Sequence, residues 1–276
     1  MISDTPIDEF VEKKDFRSLA GALQYVKVEF AKLPSFLKRI EPYTSQIQQL
    51  KISILSSFTA KNLENVLKYQ LIQRGLCPQI IFGEYNQYAQ EILDQNSAIH
   101  EFKPDVMILL LNTDMVLDAE LLQSAQTKQM KQHVKEKIAL IDSLMKKAGS
   151  AHMIVSNLIV PYQSDAGIRD VNTYGYKQSV AEFNHLLSEI AHHNAATVVD
   201  IESVAAKKGK EHFTDEKLYH LGKVYIANTR LDDVACELKK IITALYGKSK
   251  KCVVVDLDNT LWKGVIGEDG VEKIES

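Results

Sequence analysis

Asp105-Val-Met-Ile-Leu-Leu-Leu-Asn112 constrains this chain more than any other segment. An unbroken apolar run between polar ends suits a strand buried on both faces, and such strands sit in parallel sheets covered by helices on either side. The flanking pattern agrees. Residues 51–56, 79–85, 152–160 and 197–201 read as further strands, and helical patterns separate them. The stretch 62–74 is amphipathic and ends at Gly75, a residue suited to a helix C-cap. A long helix is expected from about Asp118 to Lys147, with Val134, Ile138, Ile141 and Met145 as its buried stripe. Residues 175–193 form another, with Val180, Phe183, Leu187 and Ile190 facing inward, and 231–245 a last one. The fold class expected is α/β, a three-layer parallel sheet.

Residues 1–48 read as a helical N-terminal extension. Phe10, Phe16, Leu19, Leu23, Val26 and Phe30 recur at helical spacing, and Pro34 and Pro42 are expected to break the run. The α/β domain spans 49–247. The basic run Gly247-Lys-Ser-Lys-Lys251 reads as a junction, and 248–276 as a linker with the start of a second domain. A formal net charge of −3 and a pI near 6.3 argue against a nucleic-acid-binding footprint. The N-terminus has no signal-peptide pattern, no run approaches a membrane span, and Cys77, Cys236 and Cys252 lack metal or redox spacing. The expectation is a cytoplasmic protein with reduced thiols.

Candidate functional residues cluster where strands end, because α/β sheets bind ligands at the carboxyl edge. The first strand runs into Ser56-Ser57-Phe58-Thr59, and the apolar run delivers Asn112-Thr113-Asp114 to the same edge. Asp215 and His220 follow the last strand. Together these segments resemble the SGNH/GDSL hydrolase layout, which implies that His220 takes the serine proton, Asp215 orients the imidazole, and Asn112 with backbone N–H groups binds an oxyanion. Ser57 is the nucleophile of choice, with Ser56 and Thr59 as rivals. The competing reading has Ser57 and Thr59 capping the first helix. Tyr85-Asn86-Gln87-Tyr88 is a polar-aromatic loop facing the same edge. Tyr174 and Tyr176 cover either this site or the core.

A second constellation lies near the end of the chain. Cys252–Val255 is a β-branched apolar run, and Asp256-Leu-Asp258-Asn-Thr260 follows it. Residues two apart in an extended segment point the same way, so the two carboxylates converge. One carboxylate can attack phosphorus while the other protonates the leaving oxygen and then activates water.

This segment resembles the first motif of the haloacid dehalogenase (HAD) phosphotransferases, and the string DLDNTLWKGVIGEDG resembles their FkbH-like members. The resemblance implies that Asp256 is the nucleophile and Asp258 the general acid/base. It implies Mg2+ held by Asp256 and by the backbone carbonyl of Asp258, with Thr260 hydrogen-bonding around the nucleophile. It also places a phosphate-binding Ser/Thr, a Lys and an acidic pair further downstream. The chain ends at Ser276, so it is expected to hold only the first strand of a Rossmann-like HAD domain and to be inactive as a phosphatase. The earlier segments resemble the SGNH/GDSL hydrolase layout, with Ser-Ser-Phe in place of Gly-Asp-Ser and five positions from Asp215 to His220. An SGNH-like domain followed by this motif is similar to FkbH-like proteins as a whole. That family implies a phosphorylated three-carbon acyl donor, a glyceryl unit from 1,3-bisphosphoglycerate, loaded onto an acyl carrier protein. The alternatives are a non-catalytic docking module and a serine-dependent esterase or acetyltransferase.

Overall fold

A computed structural model describes residues 28–118, 127–163 and 169–248, together with Leu23, Gly167 and Lys263. Its elements run α1 (Leu33–Ile40), β1 (Gln48–Ser56), α2 (Glu64–Ile72), β2 (Leu76–Phe82), α3 (Tyr88–Leu93), α4 (Ala98–Phe102) and β3 (Val106–Leu110). Then come α5 (Thr113–Leu117), α6 (Thr127–Lys147), β4 (His152–Ser156), α7 (Arg169–Asn172), α8 (Tyr176–His193) and β5 (Thr197–Val199). The last are α9 (Ile201–Lys208), α10 (Glu216–Gly222) and α11 (Leu231–Leu245). The chain divides into two compact units, Met1–Ile242 and Thr243–Ser276. No helix among the described residues is long and apolar enough to cross a membrane.

All five strands are parallel, in the order β2-β1-β3-β4-β5. This is the flavodoxin-like doubly wound order, whose chain direction reverses between β1 and β3. Every residue of β3 is buried, as its apolar run requires. Side chains of a strand alternate between faces. Leu55, Met107, Leu109, Met153 and Val155 face one layer, where Val134, Ile138 and Ile141 of α6 and Val180, Phe183 and Leu187 of α8 complete the core. Ile52, Ile54, Ile108 and Ile154 occupy the alternate positions and are equally buried. The result is the three-layer α/β architecture expected from the sequence.

Several boundaries differ, each for a local reason. The fourth strand stops at Ser156, not Val160. Beyond it the backbone finds side chains instead of a ladder: Leu158 N–H donates to Asn184 Oδ1 at 2.8 Å and Val160 N–H to Glu202 Oε2 at 2.7 Å. The helix expected from Asp118 does not start there. Asp118 ends α5 in the left-handed region at φ 51°, and the regular helix is described from Thr127. The C-cap of α2 is Gln73, and Gly75 follows two residues later with φ 71°. Pro34 and Pro42 open helical segments and do not break them, since a first-turn proline loses no helical hydrogen bond. In the N-terminal extension Leu23 and Ile40 pack against Ile72 of α2, whereas Phe30 is exposed. Phe10, Phe16, Leu19 and Val26 lie outside the described residues.

Candidate functional site

The switch point between β1 and β3 gathers the polar strand ends. Ser57 N–H donates to the Leu110 carbonyl at 3.1 Å, extending the β1–β3 ladder by one step. Ser57 is 0% exposed, and its Oγ accepts the Asn112 N–H at 2.7 Å. Beside it, Leu111 N–H donates to Ser156 Oγ at 2.8 Å. Asn112 is also buried, and its Oδ1 accepts Met115 N–H at 3.1 Å as the N-cap of α5. The structure therefore brings Ser57 and Asn112 together, but as parts of the sheet floor. The Ser57 hydroxyl is enclosed and satisfies a backbone donor that burial would otherwise leave orphaned.

Asp215 and His220 have other positions. Asp215 Oδ1 accepts Leu218 N–H at 2.9 Å and caps α10. His220 lies on the exposed side of that helix. Among the described residues no hydrogen bond joins His220 to Asp215 or to Ser57. The rivals are equally committed: Ser56 Oγ donates to the Phe58 carbonyl and Thr59 Oγ1 to the Gly222 carbonyl at 2.7 Å. Neither Ser57 nor Thr59 caps a helix.

Those Thr59 contacts reveal how the rim is built. Residues 213–227 leave and rejoin the domain through an antiparallel bridge between Thr214 and Ile226, above the fully buried Phe213. The C-terminal end of α10 is fixed to the loop after β1 by Thr59 N–H, which donates to the Lys223 carbonyl at 2.8 Å, and by the Thr59 hydroxyl. The rings of Phe58 and Tyr225 meet at 5.4 Å, and those of Tyr219 and Tyr225 at 6.2 Å.

At the centre of the rim stands Asp114, in the first turn of α5 and exposed. The Tyr176 hydroxyl donates to its Oδ1. Burial pushes the Tyr176 phenol far up, and the Asp114 charge adds to this. Burial likewise raises Tyr225, then Asp114, while its hydrogen bond with Thr113 opposes the rise. Tyr219 is raised by burial and then by Tyr85 and Asp114. All three phenols stay neutral at physiological pH. Tyr174, by contrast, turns away from this group: its hydroxyl donates to Glu182 and Lys131 sits 4.8 Å over its ring. Tyr85 is exposed on the rim and Asn86 next to it adopts φ 55°, while Tyr88 is buried in α3.

The ends of β4 and β5 are tied together further along the edge. Asn157 Nδ2 donates to Asp200 Oδ1 at 2.7 Å, and its Oδ1 accepts Glu202 N–H at 3.0 Å. Burial raises the Asp200 carboxyl, but hydrogen bonds from Ser203 and Asn157 outweigh it and hold the group below the usual range. Lys210 pairs with Glu202 and also donates to the Val160 carbonyl at 2.8 Å.

Two structural positions carry no sequence signal of their own. A Cβ on Gly175 would lie 2.0 Å from Asp170 Oδ1, so only glycine lets that buried carboxylate reach Lys177 N–H at the start of α8. Gly83 likewise yields to Glu91, whose Oε2 would be 2.2 Å from an added Cβ. The tyrosines of the rim were partly visible as Tyr85 and Tyr176. Tyr219 and Tyr225 were not, because only the Thr214–Ile226 bridge folds them back.

Asp256, Asp258, Thr260 and Trp262 lie outside the described residues. Among the described residues there is no group of three or more His, Cys, Asp or Glu side chains able to hold a metal ion.

This strand order and edge define a flavodoxin-like α/β domain. The sequence matches the family model for the FkbH N-terminal domain over residues 51–243. The chain belongs to that family. Among solved structures it is similar to the N-terminal part of BF1531 from Bacteroides fragilis, a protein containing a phosphatase domain complexed with Mg, with a TM-score of 0.79 and 24% identity. That alignment covers 90% of this chain and 65% of the other, so this chain spans about two thirds of its relative's length. A family 3 carbohydrate esterase from Clostridium thermocellum aligns more loosely, at a TM-score of 0.49 and 13% identity over 74% of this chain and all of the other. A lipase/acylhydrolase from Enterococcus faecalis gives 0.46 and 14%, again over 74% and 100%. No curated protein matches the sequence.

Proposed function

We propose that this chain belongs to a FkbH-like phosphatase and glyceryl transferase that takes a phosphorylated three-carbon acyl donor and loads the acyl group onto an acyl carrier protein in the cytoplasm. The observation that carries this reading is the string DLDNTLWKGVIGEDG standing directly after a domain of the FkbH N-terminal family. The Bacteroides fragilis chain of similar fold contains a phosphatase domain complexed with Mg, which supports this reading.

In this reading the Asp256 carboxylate attacks phosphorus, and the bond from phosphorus to the leaving oxygen breaks. Asp258 gives that oxygen a proton, then takes one from the water that releases phosphate. Carboxylate and carbonyl oxygens suit a hard cation, so Asp256 and the Asp258 carbonyl are the groups that would hold Mg2+. When bound, the ion offsets charge between carboxylates and phosphate. The α/β domain positions substrate or carrier and does not run hydroxyl chemistry, since Ser57 is enclosed and Asp215 caps a helix.

Magnesium-dependent release of phosphate from an acyl phosphate, measured on a longer protein that joins this sequence to a complete phosphatase domain, is expected to vanish in Asp256→Asn and to survive in Ser57→Ala. A fluorophosphonate probe should leave Ser57 unlabelled. Labelling lost in Ser57→Ala would instead make the α/β domain a serine esterase or acetyltransferase.

A further inference from the structure

The rim around Asp114 has a chemistry that the phosphoryl reading does not use. Among the described residues, Tyr176 is the hydrogen-bond partner of the Asp114 side chain through Oδ1, and no cation pairs with the carboxylate. Asp114 as a whole is exposed. Tyr176 is buried, so it holds the carboxylate in one orientation from below. Tyr225 is held against the adjacent Thr113 by a hydrogen bond between their side chains and against Phe58 by ring contact. Tyr219 meets Tyr225 with ring planes 70° apart, so the two rings form a corner and not a flat stack. Fixed aromatic walls beside a carboxylate with no cationic partner among the described residues attract an ammonium group, through the ring faces and through charge. We propose that this rim binds an organic ammonium group, held between the Asp114 carboxylate and the rings of Tyr219 and Tyr225.

Two observations set the sign of the ligand. The Lys223 ammonium lies 5.0 Å over the Tyr219 ring, so this ring accepts a cation, and a ligand ammonium binds there by displacing Lys223. The nearby fixed charges are otherwise acidic: Asp114 and Asp118 both act on Tyr176, and Glu202 acts on Tyr225 while its own partner is Lys210. A phosphate would be repelled here. The neutral phenols keep their ring faces electron-rich, as a cation site requires. The proposal does not depend on the phosphatase reading.

The test is a titration of the full chain with choline chloride, followed through the tyrosine ring resonances by NMR at fixed ionic strength. Its uncharged isostere 3,3-dimethylbutan-1-ol and inorganic phosphate serve as separate arms. Choline should shift the tyrosine resonances saturably, and the isostere should bind about tenfold more weakly. Phosphate should leave them unmoved. Asp114→Asn should weaken choline about tenfold, because it removes a charge from a charge-assisted contact. Tyr219→Leu should weaken it about threefold. No response to choline, equal binding of the isostere, or saturable phosphate binding at these tyrosines would overturn the proposal. So would unchanged choline affinity in Asp114→Asn that melts like the parent. If that variant does not fold, Tyr219→Leu decides by the same criterion.

Discussion

The floor and the rim of the switch point lie in adjoining loops and use their polar groups in opposite ways. On the floor, Ser57, Asn112 and Ser156 are buried and each accepts or donates within the sheet ends. On the rim, Asp114 is exposed and half-open, framed by rings that neighbouring elements hold in place. Burial makes the difference. A hydroxyl inside the sheet must find a partner, and Ser57 Oγ finds it in a backbone donor. A side chain two residues further on, past the last ladder bond, is free to meet a ligand. Ser57, Asn112 and Asp215, which fit a catalytic pattern by type, thus hydrogen-bond to backbone here, and tyrosines that fit no pattern line the rim.

The sharpest way to break the comparison is to detach the rim while leaving the floor intact. Phe213→Ala empties the fully buried anchor beneath the Thr214–Ile226 bridge and should cost about 3–5 kcal/mol in urea unfolding. A much smaller loss would mean that the rim segment is not part of the cooperative core. Next in size, Ser57→Ala leaves the buried Asn112 N–H without its acceptor and should cost about 1–3 kcal/mol. An unaltered midpoint would show that the hydroxyl is not structural after all, and the floor would regain a claim to chemistry.

Asp215→Ala should lose about 1 kcal/mol as a removed N-cap, with Asp215→Asn largely restoring it. Surface His220→Ala should stay within about 0.5 kcal/mol. A large effect of His220→Ala on any turnover of the α/β domain would reverse that assignment.

The smallest effect is a pH dependence at the β2–α3 turn. Burial raises the Glu91 carboxyl above its ordinary 4.5, a hydrogen bond from Glu84 N–H opposes this, and the Glu84 charge adds to it. Because the folded value exceeds the unfolded one, this contribution is complete below about pH 4.5 and is lost as pH rises through the folded value. Thermal melts from about pH 4 to neutrality should show that decline, and Glu91→Gln should flatten it. A slope unaffected by the substitution would assign it to another carboxylate.

The parallel α/β class was legible from local pattern alone. The run at 105–112 could satisfy its apolar side chains only inside a sheet covered on both sides, and the helical stripes on Val134, Ile138 and Phe183 supplied the cover. Gly75 marked a helix end because its left-handed backbone is a local property. The motif at Asp256 and Asp258 lies outside the described residues and rests on its resemblance, and it stands as the basis of the proposed phosphoryl chemistry. Strand ends were less legible: whether residues 157–160 continue a strand depended on Asn184 and Glu202, which arrive from elements far along the chain.

What sequence alone determined about this protein was therefore its alternation of buried strands and amphipathic helices, and the residue types collected at the strand ends. Tertiary structure decided which of those residues are enclosed and which are open. Ser57 and Asp114 are both polar residues at parallel strand ends, and nothing in their neighbours in sequence separates them. The separation comes from partners over fifty residues away: the Asn112 N–H that donates to the Ser57 hydroxyl, and Tyr176, whose hydroxyl donates to one oxygen of the exposed Asp114. Periodicity reports which face of an element is apolar; it carries no record of which distant donor will satisfy a given oxygen.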